Sequence, residues 1–339
     1  MSLIDSRVPL AEHATLHNGR YKLQKRVGGG SFGITYQVWD TQLNCLCAIK
    51  EFYPTVDSYP LNEEILLSRS EEESCLRVLD PEMEERYDAA KKKAFREFET
   101  LRSLNHSNIV RMYDVFEENN TLYAVLDWLE GPTLKKLIDD KVVVDAATSL
   151  GWMDNLLDAL DYMHRKNIVH RDLKPSNIMF DAEGKPYIID FGAALDRNLN
   201  KRYGLLTSMG ASTQSYRAPE QEILGLGKMG PWTDLFAFSL TWQDFLTGNK
   251  LRSLENPLTP EECFGGGADY PPQVYHVLWQ ACRKEPAERC RDVAQWRLLQ
   301  NSAAVPPAPV QLPEGNRGRL WIYLVTALIA AVVVYLLFS

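Results

Sequence analysis

"HRDLKPSN", residues 170–177, puts a histidine, an arginine, an aspartate, a lysine and an asparagine into eight positions. That is too much charge for a buried strand and too little apolar spacing for an amphipathic helix. The flanking segments frame it as a loop. Before it, "GWMDNLLDALDYMH" (151–164) carries Met153, Leu156, Leu157, Leu160 and Met163 on one helical face. After it, "IMF" (178–180) is strand-like, and "IIDFGAA" (188–194) sets Asp190 behind an apolar strand. Polar groups in such a loop can be held at fixed points. Carboxylate and amide oxygens, as on Asp172, Asn177 and Asp190, are good ligands for Mg²⁺. A single loop aspartate is more often a cap or turn former, so the rest of the chain has to decide.

Three upstream features bear on it. "GGGSFG" (28–33) places Gly28, Gly30 and Gly33 between the strand-like "YKLQKRV" and "ITYQVWD". Glycines there permit tight turns and let backbone N–H groups approach phosphate oxygens. Alone, the pattern admits a dinucleotide fingerprint or a plain hairpin loop. The dinucleotide version wants a helix next, and the strand that follows disfavours it. In "CAIK" (47–50), strand geometry puts Ala48 and Lys50 on one face. There a small residue can floor a flat ring while the ammonium reaches its phosphates. A helix is expected from Asp80-Pro81, aspartate as N-cap and proline in the first turn. Its apolar stripe is Ala94, Phe98, Leu101 and Leu104, and Glu97 lies on it. A carboxylate facing a core needs a cationic partner, and Lys50 supplies what Glu97 lacks.

GGGSFG, AIK, Glu97, HRDLKPSN, DFG (190–192) and APE (218–220), in this order, resemble the eukaryotic-type (Hanks-type) serine/threonine protein kinases, bacterial members in particular, over about residues 20–300. The resemblance implies an α+β, bilobal protein-kinase fold. The β-rich N-lobe would span about 20–129 and the mainly helical C-lobe about 130–300. ATP would be covered by Val27, Gly28, Gly29, Gly30, Ser31, Phe32, Gly33 and Thr35, with Ala48, Leu126, Asp127, Leu129 and Met179 around the base. Lys50 would hold the α- and β-phosphates and pair with Glu97. Asp172 would orient the substrate hydroxyl and accept its proton, and Lys174 would approach the γ-phosphate. Asn177 and Asp190 would hold magnesium, with manganese as an alternative. Lys174 and Thr213 accompany serine/threonine specificity in the family.

Structural positions carry over as well. Asp234 would bond the backbone of 170–172, Glu220 and Arg289 would form an internal ion pair, and Leu101, Met112, His170 and Phe191 would stack between the lobes. Three departures stand out. The adenine-covering valine is Thr35, the glycine common in the helix after APE is Ser239, and the stretch from 53 to 90 is longer than in compact kinases.

Composition is ordinary for a globular protein: 339 residues, 45% hydrophobic and 24% charged, with a net charge of −8 that implies no nucleic-acid partner. Cys45, Cys47, Cys75, Cys263, Cys282 and Cys290 are spaced irregularly and read as free thiols, without a zinc-site pattern. Residues 1–19 read as a mobile N-terminal arm. The acidic insertion at about 53–80 admits either order or flexibility.

The C-terminal region differs. Residues 301–319 are rich in proline and read as a semi-rigid spacer. "LWIYLVTALIAAVVVYLLF" (320–338) is an uncharged run that as a helix spans about 28 Å, close to a bilayer core. Trp321, Tyr323 and Tyr335 sit where interfacial aromatics would. Arg317 and Arg319 precede the run, which places the kinase domain in the cytosol by the positive-inside rule. The expectation is one transmembrane helix acting as a tail anchor.

Regulation follows from the resemblance. Arg171 would pair with a phosphate on the activation segment, where Thr207, Ser208, Ser212 and Thr213 offer hydroxyls. Anchoring in two dimensions favours encounters between copies, so a homodimer would serve trans-autophosphorylation. The expected partners are protein substrates with Ser or Thr. The competing reading is a membrane-tethered pseudokinase scaffold. A small-molecule kinase is the third, disfavoured by the presence of APE and Thr213.

Overall fold

The computed structural model describes residues 7–30, 33–55, 66–70, 73–191, 195–196, 216–221, 229–248 and 270–302. Ser31, Phe32, Thr207, Ser208, Ser212, Thr213, the centre of the insertion, the spacer and the expected transmembrane segment lie outside them. The chain divides into two units, 1–302 and 303–339. No helix among the described residues is long and apolar enough to cross a membrane.

The N-terminal part is built on a six-stranded antiparallel sheet. Its strands are β1 (Thr15–Leu16), β2 (Tyr21–Gly30), β3 (Gly33–Asp40), β4 (Cys45–Phe52), β7 (Met112–Glu118) and β8 (Thr121–Asp127), in the spatial order β1-β2-β3-β4-β8-β7. Alternation divides the sheet between two cores: Ile34, Tyr36 and Val38 of β3 and Cys47 and Ile49 of β4 are buried on one face with Tyr21 and Tyr123, while Met112, Val115, Leu122 and Ala124 belong to the core that includes Phe98 and Leu101.

The mobile arm expected over residues 1–19 is, from Arg7 onward, part of this layer. β1 pairs with β2, and Leu10 and Leu16 are buried in the same core. Two apolar side chains in a polar stretch are enough to seat it. The described part of the insertion forms a short hairpin, β5 (Leu67–Ser68) with β6 (Arg77–Val78). It is secured by the buried ion pair of Arg69 with Glu51, whose carboxylate also accepts from Tyr36 Oη (2.9 Å) and Tyr123 Oη (3.0 Å).

Helix α1 (Glu84–Arg102) begins after a 3₁₀ turn, Pro81–Met83, where Asp80 accepts from the Glu82 N–H at 3.0 Å. Ala94, Phe98, Leu101 and Leu104 are buried against the sheet and the second lobe. In that lobe lie α2 (Leu134–Asp139), α3 (Ala146–Arg165), α4 (Pro231–Thr247), α5 (Pro272–Ala281) and α6 (Val293–Gln300). Met153, Leu156, Leu157, Leu160 and Met163 of α3 are buried, as are Leu235, Phe238 and Trp242 of α4. Gly248 ends α4 in the left-handed region (φ 67°), its N–H donating to Asp244 O at 2.9 Å, as a glycine C-cap does. Short strands β9 (Ile168–Val169), β10 (Ile178–Phe180), β11 (Pro186–Ile188) and β12 (Leu195–Asp196) frame the loop at 170–177.

Candidate active site

A cavity of about 510 Å³ opens between the sheet and the helical lobe. Among the described residues, every position expected to meet ATP lines it: Val27, Gly28, Gly29, Gly30, Gly33, Thr35, Ala48, Lys50, Leu126, Asp127, Leu129 and Met179. The roof is the β2–β3 hairpin, in register Gly28↔Thr35, Gly29↔Ile34, Gly30↔Gly33. Its glycines do different things. A Cβ on Gly28 or Gly30 would meet open space, whereas one on Gly33 would stand 1.8 Å from the backbone oxygen of Glu51. Gly33 is therefore required to seat the hairpin on β4, and Gly28 and Gly30 keep the roof bare. At the back, the Asp127 N–H donates to Arg111 O at 3.0 Å. Of its backbone groups, Asp127 has only its carbonyl to offer an adenine amine.

The loop at 170–177 is hung from one buried carboxylate. Asp234, near the start of α4, accepts from the His170 N–H (2.9 Å), the Arg171 N–H (2.8 Å) and His164 Nε2 (2.8 Å). Burial pushes the Asp234 carboxyl up; the His164 hydrogen bond and charge and the Arg171 N–H outweigh it, and the net direction is down. His170 accepts from the Asp172 N–H at Nδ1 (3.3 Å), which leaves Nε2–H to donate to Ile189 O (3.3 Å). Its ring lies 5.2 Å from that of Phe191. Leu101, Met112 and Phe191 are buried in one core. Held this way, Asp172 receives Lys174 Nζ at 2.8 Å and Asn177 Nδ2 at 3.1 Å, while Asn177 Nδ2 also donates to Asp172 O at 2.7 Å.

The same amide geometry bears on metal binding. With its nitrogen committed to Asp172, Asn177 has its carbonyl oxygen for another partner. Asn177 and Asp190 both line the cavity. An amide oxygen and a carboxylate are the hard donors a magnesium ion takes, so these residues fit the expected cation. Arg171 (φ 68°) and Asp190 (φ 59°) are both left-handed without being glycine, the sort of backbone strain that surrounding contacts must hold in place.

One expected pair is not made. Lys50 is bonded to Asp190, not to Glu97. Glu97 is half-buried on α1, with Lys93 Nζ at 3.9 Å. Burial raises its pKa, opposed by the charges of Lys93 and Arg171. Arg171 is pushed down by burial, opposed by Asp234 and Glu97. Lys93 sits one turn before Glu97 on the same helix, the spacing at which two helical side chains meet. The ion pair expected between Glu220 and Arg289 is present and buried, with bonds of 2.8 and 3.0 Å, and Thr233 Oγ1 adds a third contact to Glu220 at 2.9 Å.

The cavity has further walls that sequence reasoning missed. Phe98, Val110, Trp128, Thr133, Ser176 and Ile189 also line it. Ile189 and Ser176 carried a signal, since each adjoins a residue already singled out. Thr133 did not; it arrives through an isolated bridge to Met179.

Comparison with known proteins gives the family. The model of the protein kinase domain matches residues 68–263, more than half of the chain. The chain belongs to the protein kinase family, which uses ATP and a divalent cation. It is 28% identical over 312 residues to serine/threonine-protein kinase PknA of Nostoc sp., covering 89% of this chain and 51% of that protein. It is 30% identical over 284 residues to serine/threonine-protein kinase C of Synechocystis sp. (81% and 48%) and 30% over 236 residues to PrkC of Bacillus subtilis (68% and 31%). The chain thus spans about half or less of the length of these relatives. A solved structure titled "PpkA-294 apo form" shares the fold, with a TM-score of 0.67 at 23% identity over 86% of this chain and 99% of that one.

Proposed function

We propose that the chain is a membrane-anchored serine/threonine protein kinase that transfers the γ-phosphate of ATP to protein hydroxyls. The observation that carries the reading is the convergence on Asp172: Lys174 at 2.8 Å and Asn177 at 3.1 Å, beneath a glycine-roofed cavity that also holds Lys50 and Asp190. Phosphoryl transfer needs positioning and charge neutralisation more than covalent chemistry, and this is a set of groups for both. Asp172 accepts the proton as the substrate oxygen bonds to the γ-phosphorus and the bridging oxygen leaves with ADP. Lys174 offsets negative charge on the transferring group, and Lys50 holds the α- and β-phosphates. A bound divalent cation, held by Asn177 and Asp190, would supply further neutralisation. The Lys50–Asp190 pair is a resting arrangement in this reading; catalysis draws Glu97 onto Lys50.

Lys174 and the names of the relatives support serine/threonine specificity. The uncharged segment 320–338 supports the anchor, with the catalytic unit on the cytoplasmic face, and retention of the full chain in carbonate-washed membranes checks it. Thr207, Ser208 and Thr213 are the proposed autophosphorylation and substrate-docking positions of the activation segment, reached in trans by a second copy. Mass spectrometry of active protein with no phosphate between 196 and 213 counts against the autophosphorylation. The decisive assay is transfer of ³²P from ATP to a generic protein. Asp172→Asn is expected to lower the rate by roughly 10²- to 10⁴-fold. Equal rates for the two proteins would overturn the proposal.

A further inference from the structure

The hairpin that roofs the cavity has little of its own to hold it in place. Gly28, Gly29 and Gly30 bring no side chains, and the space a Cβ would occupy at Gly28 and Gly30 is open. On the β3 side, Gly33 is seated directly against Glu51. The β2 side is reached from elsewhere in the chain. Arg7, in the segment expected to be mobile, donates from Nη2 to Gly30 O at 2.8 Å and from Nη1 to the carbonyl of Tyr53, just beyond β4. One guanidinium thus spans from the end of β2 to the end of β4, with β3 between them.

The body from which Arg7 reaches is well fixed. Its Cζ lies 5.7 Å from the centre of the Tyr53 ring, and Cζ of Arg69 lies 5.5 Å from the same ring. Arg69 is held by buried Glu51. Glu51 accepts from Tyr36 Oη, which itself accepts from the Leu10 N–H at 3.0 Å. Leu10 is buried. The segment carrying Arg7 and the strand carrying Lys50 therefore share one network, two residues of which, Glu51 and Tyr53, follow Lys50 closely in sequence.

We propose that Arg7 is a positioning residue for nucleotide phosphates: it staples the carbonyl of Gly30 to the body of the sheet and so sets the height and tilt of the glycine roof. The physical reason is the planarity of the peptide unit. A carbonyl fixed on one side fixes the plane of its peptide, and backbone N–H groups bind phosphate well only when their direction is preset. A forked guanidinium can grip two carbonyls at once, which a lysine ammonium, as a point charge on a flexible stem, does less well. The staple touches neither the adenine wall nor the loop at 170–177. Its loss is felt by ligands bearing phosphates and not by adenosine. This inference deepens the nucleotide-binding reading above and rests on it.

The test is calorimetric titration of the full chain with adenosine, MgADP and MgATP, for wild type, Arg7→Ala and Arg7→Lys. Arg7→Ala is expected to weaken MgADP and MgATP by roughly three- to tenfold, the scale of one charge-assisted hydrogen bond. Adenosine affinity and the KM for protein substrate stay as in wild type. Arg7→Lys is expected to recover less than half of the lost affinity, and full recovery would make this a simple charge effect and overturn the staple. Amide hydrogen exchange at Gly28–Gly30 should quicken in Arg7→Ala while exchange in β4 is unchanged. Should Arg7→Ala fail to fold, Arg7→Met, which keeps an apolar stem over Tyr53, takes its place. Wild type that binds no MgADP removes both readings. Wild type that binds, with every variant tracking it for all three ligands or losing adenosine equally, removes the staple alone.

Discussion

Lys50 on β4 is ion-paired with Asp190, 140 residues further along the chain. The pair joins two charged residues of the cavity wall, one on the sheet and one just after β11. Both side chains keep partial exposure, 18% and 39%, so water screens the attraction and the pair adds little to folding. Under the proposed function its importance lies in chemistry. Lys50→Met should therefore lower phosphoryl transfer by about a hundredfold or more while leaving the melting temperature nearly unchanged. Initial rates and thermal unfolding on the same preparations check both halves, and a large drop in melting temperature would show the pair to be structural.

Glu97 makes a prediction about pH. Its folded pKa is raised, chiefly by burial, with Lys93 and Arg171 opposing. A carboxyl raised on folding favours the native state most at low pH, where it is protonated in both states. That contribution is lost as pH rises through the folded value. Glu97→Gln removes the penalty of ionisation, so its stability relative to wild type should improve as pH climbs from below the ordinary carboxylate range to neutrality. Urea unfolding across that window is the measurement. A difference that does not vary with pH would mean that Glu97 is effectively solvated.

The fork of Arg289 on Glu220 is buried on both sides, at 0% and 4% exposure. Removing one partner of a buried pair strands the other charge. Arg289→Ala should cost about 3–5 kcal/mol, read as a lowered urea midpoint with unchanged slope. Because Thr233 and the Arg289 contacts to Arg283 O and Lys284 O belong to the same network, Arg289→Lys should recover only part of it.

The glycines of the roof should separate cleanly. Gly33→Ala drives a methyl into the Glu51 carbonyl and should destabilise the fold by about 1–3 kcal/mol or more. Gly30→Ala meets nothing and should leave the unfolding midpoint in place. Nucleotide affinity measured beside stability distinguishes the packing role from the ligand-facing one.

Local motifs made much of this molecule legible before any coordinates. The apolar stripes of α1 and α3 are readable because helical period and burial coincide there, and Asp80 marks a helix start by cap chemistry that needs only neighbours. The polar residues of 170–177 are legible for a similar reason: the loop is short and its chemistry is local. What escaped depends on contacts far apart in sequence. That Lys50 meets Asp190 and not Glu97 is a contact across 140 residues, which no periodicity encodes. Thr133 enters the cavity wall through a bridge to β10. Arg7 looks like one more charge in a polar lead-in until Leu10 and Leu16 are seen to be buried.

Glu51 carries a last consequence. Among the described residues, the cationic group bonded to its carboxylate comes from Arg69, beside the β5–β6 hairpin; two phenols make its other contacts. Excising that segment to obtain a minimal enzyme would leave an anion sealed among aromatic rings with no counter-charge. The hairpin and the strand beneath it are thus electrostatically coupled: a shortened version would need Glu51 replaced by a neutral residue at the same time.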